Sequence, residues 1–125
     1  MREEAARIAE AYLQAWQRKD EAGIATFVHP QVEFVGPIAQ TKGRDAFLAG
    51  AQRMFPLLKE IKIHTMFFSG DQVLFTYDFI CVEPVGICRT AELITIKDGQ
   101  IGRVELFFDP RPFEKLMQQR QAKAS

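Results

Sequence analysis

The sequence predicts an α+β fold in which helices cover one face of a strongly curved antiparallel sheet. Up to Pro56, apolar residues recur mainly at helical spacing. After Pro56 their period changes to two, and short turns that contain glycine divide the chain into four strands. Helices followed by consecutive strands are typical of an α+β layer architecture. A curved sheet closed by N-terminal helices forms a cone with a pocket inside.

The first part of the chain contains three predicted helices and one strand. In order, they are a helix over 3–19, a helix over 21–28, a strand over 32–35 and a helix over 44–55. The first is amphipathic with a broad apolar stripe. Asp20 can cap the second, which is expected to end before Pro30. The strand leads into a loop that extends to Gly43, and Pro56 interrupts the third helix.

The second part is a meander of strands. Strands are predicted over 61–69, 72–83, 87–97 and 100–109, with a terminal helix over 113–122. Pro110 ends the last strand. The polar run at 118–121 predicts fraying of residues 118–125. The whole chain, residues 1–125, is interpreted as one domain, long enough to bury roughly two-thirds of its unfolded surface.

Composition argues against several classes of partner. Sixteen basic and sixteen acidic residues balance to zero, without a dense Lys/Arg stripe, so neither nucleic acid nor an anionic membrane is expected. The N-terminal residues carry no apolar run typical of a secretion signal, and no segment is long enough to span a bilayer. Only two cysteines are present, without metal-ligand spacing. We therefore expect a cytoplasmic protein without a metal or cofactor.

Glu92 is the most informative residue. It lies in the third predicted strand, and alternation places it on the same face as Cys88, Ile94 and Ile96. A charge on an apolar strand face costs several kcal/mol unless it is paired or neutralised. Some group must therefore hydrogen-bond Glu92, and its surroundings are the first candidate for a functional site.

The turn before this strand sets its register. With Pro84 and Val85 as central turn residues, Tyr77 would lie opposite Glu92 and Cys81 opposite Cys88. In a cytoplasm we expect both cysteines to be reduced and buried. The register also permits a disulfide between them.

The next turn allows two registers. A two-residue Asp98-Gly99 turn would place Glu92 opposite Glu105. A three-residue loop with a glycine bulge places Glu92 opposite Val104 instead. We favour the second, because it separates the two carboxylates and directs Val104, Leu106 and Phe108 toward the pocket.

Glu92 is then expected beside Tyr77, Phe75, Val104 and Leu106. Such burial raises the pKa of a carboxyl group. The Tyr77 hydroxyl can donate to the carboxylate or accept from the neutral acid. Two interpretations remain open: a satisfied cross-strand pair in the core, or a group that faces a ligand.

Several stretches resemble one known superfamily. They are Ala11-Tyr12-Leu13-Gln14-Ala15-Trp16 through Asp20, Thr41-Lys42-Gly43-Arg44-Asp45-Ala46-Phe47, and Phe107-Phe108-Asp109-Pro110. In this order and spacing, the chain resembles the nuclear transport factor 2-like superfamily over residues 5–117. It looks most similar to the SnoaL-like and ketosteroid isomerase-like branch. The resemblance implies the cystatin-like roll, with helices wrapped by a cone-shaped sheet. One fold hosts many chemistries, so it does not imply one activity.

The resemblance also implies roles for individual residues. Tyr12 matches the first-helix tyrosine that donates to the oxyanion in ketosteroid isomerases, and Glu92 matches the protonated aspartate that is the second donor. Phe34 occupies the strand position of the general base, and the adjacent Glu33 is expected to point to the other face. Abstraction of a proton from carbon needs a positioned base, so ordinary ketosteroid isomerase activity is not expected.

Related branches suggest other chemistry. The limonene-epoxide-hydrolase branch uses an Asp-Arg-Asp arrangement around a water, but the last carboxylate would fall near Leu106, which cannot serve. Asp78 and Arg89 are expected to form an ion pair on the opposite sheet face. SnoaL-like polyketide cyclases use a carboxylic acid in the pocket for proton transfer, a role that Glu92 could fill.

Other residues have structural explanations. We expect His29 to contact the end of the second helix and His64 to lie at the surface or an interface, without a metal site. Trp16 shares a helical face with Tyr12 and either lines the pocket floor or only packs there. The convex sheet face is predicted to be too apolar for solvent, through Thr76, Ile80, Val82, Ile87, Ala91 and Leu93. A homodimer through this face is therefore expected.

The sequence thus predicts a small cytoplasmic homodimer that binds an apolar, oxygen-bearing small molecule. Tyr12, Tyr77 and Glu92 would supply the polar contacts. The apolar wall would comprise Trp16, Phe34, Phe75, Val104, Leu106 and Phe108. As an enzyme it would be an isomerase, cyclase or hydrolase without a cofactor, with Glu92 as the acid. The alternative is a non-catalytic ligand-binding or dimerisation module.

Overall fold

The computed structural model describes residues 2–124, with side chains over residues 3–122. Its elements are α1 (Arg2–Gln17), α2 (Glu21–Phe27), β1 (Val28–Val35), β2 (Gln40–Lys42), α3 (Arg44–Met54), β3 (Leu58–Ser69), β4 (Gln72–Cys81), β5 (Ile87–Lys97), β6 (Gln100–Phe107) and α4 (Arg111–Ala124). The strands form one curved sheet in the order β2-β1-β6-β5-β4-β3. The predicted α+β fold is confirmed. The sheet is not wholly antiparallel, because β1 pairs with β6 in parallel.

The first strand is longer than predicted. β1 begins directly after α2 at the fully buried Val28 and includes His29 and Pro30. A proline is tolerated here because the β1–β6 pairing is irregular between Val28 and Glu33, so its missing N–H breaks no regular ladder. His29 therefore lies in a strand and not at a helix end, and Asp98 is its ionic partner at 3.8 Å.

Two short segments also differ from the sequence prediction. β2 pairs with β1 within the stretch that was predicted to be a loop, and three residues are too few for a periodic signal. α4 begins at Arg111, two residues before the predicted start, and includes the polar run at 118–121. Fraying of residues 118–125 stays a prediction.

The Gly43-Arg44 pair fixes α3 against the sheet. Gly43 has a φ of +98°, which favours glycine, and its N–H donates to the Val32 carbonyl at 2.7 Å. The Arg44 guanidinium donates two hydrogen bonds, of 3.0 and 2.9 Å, to the Val28 carbonyl. These contacts hold the start of α3 across β1, so that α3 covers one end of the concave face.

The β4–β5 register differs from the prediction by two residues. Glu92 lies opposite Phe75, and Tyr77 lies opposite Thr90. The connecting turn is longer than two residues, because the N–H groups of Val85 and Gly86 both donate to the Val82 carbonyl. A shift of two leaves every side chain on its predicted face. Cys81 and Cys88 are consequently not opposite each other, and both are free thiols.

The preferred β5–β6 turn was also wrong. The hairpin uses the two-residue turn, in which Asp98 and Gly99 both have positive φ. The pairing then shifts near Gly102, where an added Cβ would lie 2.8 Å from that of Lys97. Glu92 therefore faces Leu106, and not Glu105 or Val104. The bulge places the apolar residues of β6 on the concave face, as predicted.

The convex face carries apolar side chains together with ion pairs. Ile87, Phe67 and Phe107 are the most exposed large apolar residues there, at 67%, 60% and 49%. Asp78 lies among them and pairs with His64 at 3.0 Å and with Arg89 at 3.3 Å. The hydrogen bond from His64, followed by that from Arg89, keeps the pKa of Asp78 below its ordinary value.

Candidate functional site

A cavity of about 230 Å³ lies between the concave face of the sheet and the helices. Every helix except α2 contributes to its lining. Contributors include Tyr12 and Trp16 of α1, Phe47 and Gly50 of α3, Tyr77 of β4, Glu92 of β5, Leu106 of β6 and Phe113 of α4. The exposed residues Ile38, Ala39 and Arg53 mark the mouth. The lining is mostly apolar, which is typical of small-molecule sites.

Glu92 is the acidic residue in this lining. Its side chain borders the cavity and is buried, with 4% of the residue exposed. The Tyr77 hydroxyl donates to Glu92 Oε1 at 2.8 Å. The other oxygen, Oε2, has no hydrogen-bond partner, and it is the one such buried side-chain atom among the described residues. The pair is therefore only half satisfied, which is unusual for a buried carboxyl group in a core.

Burial determines the protonation of this group. Removal from water raises the pKa of Glu92 to about 7, because desolvation outweighs the opposing effect of the Tyr77 and Tyr12 hydroxyls. The neutral and ionised forms are thus both populated near neutral pH. The neutral acid can donate from Oε2, whereas the carboxylate can accept there. Either form has an unused hydrogen-bonding capacity at the cavity wall.

Tyr12 and Trp16 project from α1 into the same region, four residues apart. The Tyr12 hydroxyl lies near enough to Glu92 to lower the pKa of that carboxyl, although the direct hydrogen bond comes from Tyr77. Burial and the neighbouring Glu92 raise the tyrosine's own pKa well above 10, so Tyr12 remains a neutral donor. Trp16 lines the cavity, and its ring lies edge-on to Phe55 and Phe79 at 5.4 and 6.4 Å.

Phe34 confirms that the β1 position facing the cavity is apolar. Its ring lies 5.9 Å from that of Phe47, and both line the cavity. Glu33, the adjacent residue, is exposed and does not border the cavity. Among the described residues, one carboxyl group, and not a pair, therefore borders the cavity.

The predicted apolar wall of the cavity has four more residues besides Trp16 and Phe34. Val104, Leu106 and Phe108 line the cavity, as the alternation on β6 predicted. Phe75 does not: it is fully buried beneath the wall and stacks on the Tyr77 ring at 5.6 Å. Phe75 lies directly opposite Glu92 on the neighbouring strand, and Tyr77 and Glu92 line the cavity in its place.

Sequence reasoning missed the residues that α3 and the segment between β1 and α3 contribute. Phe47, Gly50 and Met54 of α3 all line the cavity. The segment contributes Gly36, Ile38, Ala39 and, from β2, Thr41. The sequence shows the helical spacing of the α3 residues. It does not show the angle at which α3 crosses the sheet, which decides which of them face the cavity. Cys88 and Thr90 also line the cavity, and the Thr90 hydroxyl donates to the Cys88 carbonyl at 3.1 Å.

Two further properties concern metals and membranes. Among the described residues, no group of three or more His, Cys, Asp or Glu side chains is arranged to hold a metal ion. Within residues 2–124, no helix has both the length and the apolar character that crossing a membrane requires.

Comparison with protein families places this geometry in a known group. The chain matches the model of the SnoaL-like domain family over residues 9–104, which is more than half of its length. The chain belongs to the SnoaL-like domain family. All the residues that line the cavity lie in the matched region except Leu106, Phe108 and Phe113. No curated protein sequence matches the chain.

Solved structures show the same fold. A protein from Kribbella flavida DSM 17836 is 28% identical, with a TM-score of 0.83 over 93% of this chain and 95% of that chain. An M. tuberculosis LEH-like epoxide hydrolase is 21% identical, with a TM-score of 0.74 over 97% and 95%. A Sinorhizobium meliloti protein provisionally described as a polyketide cyclase is 20% identical, with a TM-score of 0.75 over 81% and 94%. At such identities the last two establish the fold alone.

Proposed function

We propose that this SnoaL-like protein binds a small apolar molecule that carries one oxygen substituent, with neutral Glu92 donating a hydrogen bond to that oxygen. The proposal rests on one observation: Glu92 Oε2 is a buried oxygen without a hydrogen-bond partner at the wall of an apolar cavity. A buried polar group without a partner costs about 1–3 kcal/mol, and a ligand oxygen would recover part of this. Tyr12 and Tyr77 supply further hydroxyl groups beside it.

The cavity limits the size of the ligand. An apolar cavity of about 150 Å³ is enough to bind benzene, and this cavity has about 230 Å³. One ring with substituents, or two small fused rings, is therefore the expected scale. The aromatic residues in the lining favour a flat, apolar ring system.

The proposed chemistry is acid catalysis without a cofactor, as in an isomerase or cyclase. A hydrogen bond from Glu92 to a carbonyl oxygen stabilises the negative charge that develops there when an enol carbon of the same ligand adds to the carbonyl carbon in a ring closure. Glu92 gives its proton to the new hydroxyl oxygen and regains one from the enol hydroxyl, which becomes a carbonyl. A pKa near 7 suits a group that donates and recovers a proton at neutral pH. The provisional polyketide cyclase with the same fold is consistent with this chemistry.

Two other reaction types fit less well. Phe34 replaces the base that an ordinary ketosteroid isomerase requires, and Glu33 is outside the cavity. Epoxide hydrolysis with two carboxylates and an arginine would need acidic partners that the lining lacks, since Asp78 and Arg89 pair on the convex face. The second candidate is a non-catalytic binding module, favoured by the presence of one carboxyl group where acid–base chemistry commonly uses two.

A thermal-shift screen tests the proposal. Acetophenones, phenols and small bicyclic ketones would be added to the wild type, Glu92→Leu and Glu10→Leu, the last being a change at an exposed α1 residue. Leucine removes the donor at residue 92, whereas a glutamine amide would still donate. We expect ligands that raise the melting temperature of the wild type and of Glu10→Leu but have a smaller effect on Glu92→Leu. Hits would then be assayed for turnover. If no small apolar compound stabilises the wild type, the cavity is not a ligand site.

We also propose that the protein forms a cytoplasmic homodimer through the convex face. Ile87, Phe67 and Phe107 expose apolar surface there that a second copy would cover. The free thiols of Cys81 and Cys88 suit a reducing compartment. Light scattering should give twice the mass of the chain for the wild type and for Met117→Lys on α4, but the monomer mass for Ile87→Lys. A monomeric wild type would refute the dimer.

A further inference from the structure

The charge distribution inside the cavity is one-sided. Among the residues that line it, Glu92 is the acidic group, and the cationic Arg53 lies at the exposed mouth. The remaining titratable lining groups are Tyr12, Tyr77 and Cys88. Burial raises the pKa of each of these above its ordinary value, so they are neutral at physiological pH. When Glu92 ionises, the interior therefore carries a negative charge without an internal cation.

The carboxylate form of Glu92 is poorly supported by the protein. Tyr77 donates to Oε1, whereas Oε2 has no partner. The nearby Thr90 hydroxyl is already engaged with the Cys88 carbonyl. A buried carboxylate is stabilised when a cation or a strong donor comes within hydrogen-bond distance of its free oxygen. The Tyr12 hydroxyl near Glu92 is a neutral donor and leaves Oε2 without a partner. The described residues of the lining provide no cation inside the cavity, so a positive charge beside this oxygen would have to come from a ligand.

The walls of the cavity suit a particular class of cation. Tyr12, Trp16, Phe34, Phe47, Tyr77 and Phe79 all line the cavity. Aromatic rings attract cations through their quadrupoles, and cages of such rings recognise quaternary ammonium groups. A tertiary or quaternary ammonium ion is less strongly hydrated than a primary one, and its alkyl groups also satisfy the apolar lining. A carboxylate ligand, in contrast, would meet the charge of Glu92.

We propose that the cavity also takes a small tertiary or quaternary amine, bound as a cation against Glu92 and enclosed by the aromatic walls. This inference rests on the cavity being a ligand site, as in the proposed function, and adds a second ligand class to the same residue. The neutral acid would select an oxygen acceptor, whereas the carboxylate would select the amine.

Protonation of Glu92 should then control amine affinity. A permanent cation needs the ionised carboxyl group, and burial raises the pKa of Glu92 to about 7. Between pH 6 and pH 8 the ionised fraction rises about tenfold, so affinity should rise about tenfold. Tyr12, Tyr77 and Cys88 remain neutral over this range. None of these groups therefore gives the same pH dependence.

Isothermal titration calorimetry with three probes tests the proposal. Benzyltrimethylammonium is the permanent cation, and 2,2-dimethylpropylbenzene is its neutral counterpart of the same shape. Acetophenone represents the oxygen-bearing class of the proposed function. Each probe would be titrated into the wild type, Glu92→Gln and the exposed Glu10→Gln control at pH 6 and pH 8, with circular dichroism confirming the fold of each variant.

We expect the cation to bind the wild type and Glu10→Gln about tenfold more tightly at pH 8 than at pH 6. Glu92→Gln should bind it roughly thirtyfold or more weakly, without pH dependence. Equal binding of the cation and its neutral counterpart, or of the cation to Glu92→Gln and the wild type, would overturn the proposal. Binding of acetophenone alone would refute the amine inference and leave the proposed function standing. Binding of none of the three would contradict both.

Discussion

Glu92→Gln probes the buried carboxyl group directly, because glutamine has the same shape and does not ionise. The Tyr77 hydroxyl can still donate to the side-chain oxygen of glutamine, so the contact at 2.8 Å need not be lost. The substitution therefore removes the titration of residue 92 while it retains the packing. The loss of this titration should change the free energy of unfolding by an amount that depends on pH. Changes in packing or hydrogen bonding caused by the substitution would not depend on pH in this way.

The magnitude follows from the pKa of Glu92 in the two states. It rises from 4.5 in the unfolded chain to about 7 in the fold. Because the folded state holds its proton more tightly, the associated stability is fully present below pH 4.5 and is lost as the pH rises through 7. At about 1.4 kcal/mol for each pKa unit, this loss amounts to about 3 kcal/mol between pH 4 and pH 8. Glutamine shows no such loss.

Urea denaturation of both proteins at half-unit steps from pH 4 to pH 8 measures this difference. We expect the stability of Glu92→Gln relative to the wild type to increase by about 3 kcal/mol over the range, with most of the change between pH 5 and pH 7. Glu10→Gln should change little, since Glu10 is exposed on α1. A constant difference between Glu92→Gln and the wild type at every pH would refute the assignment of a buried, proton-retaining carboxyl group.

Three further predictions concern substitutions of single residues. Tyr77→Phe removes the donor to Glu92 and should cost about 1–2 kcal/mol in urea denaturation; an unchanged midpoint would contradict the hydrogen bond. Gly50→Leu should stabilise α3 by about 0.5–1 kcal/mol, because glycine is a poor helix former. It should also abolish ligand-induced thermal shifts, because a side chain there enters open cavity space; retained ligand binding would show that the ligand binds outside this cavity. Arg44→Ala should cost about 1–3 kcal/mol, and Arg44→Lys should restore only part, because lysine cannot donate in the two-pronged geometry seen at Val28. Full recovery in the lysine variant would argue against that geometry.

The registers show where sequence reasoning reached its limit. Alternation placed Glu92, Tyr77, Val104 and Leu106 on one face of the sheet. That prediction is correct although the predicted β4–β5 and β5–β6 registers were both wrong. Both errors were displacements that leave the face of these residues unchanged: a longer Val82–Gly86 turn, and a bulge at Gly102 in place of one in the loop. Turn length and bulge position depend on hydrogen bonds between segments that meet only after folding, so local spacing could not fix them.

The sequence by itself determined the fold class and the presence of a carboxyl group on an apolar strand face, because both depend on periodicity along the chain. Only the tertiary structure decided what surrounds that group. It placed Phe75 beneath the wall, brought the α3 residues Phe47 and Gly50 to the cavity, and left Glu92 Oε2 without a partner. These outcomes depend on the crossing angle of α3 and on contacts between residues distant in sequence. Such contacts are set by packing in three dimensions and leave no periodic signal in the chain.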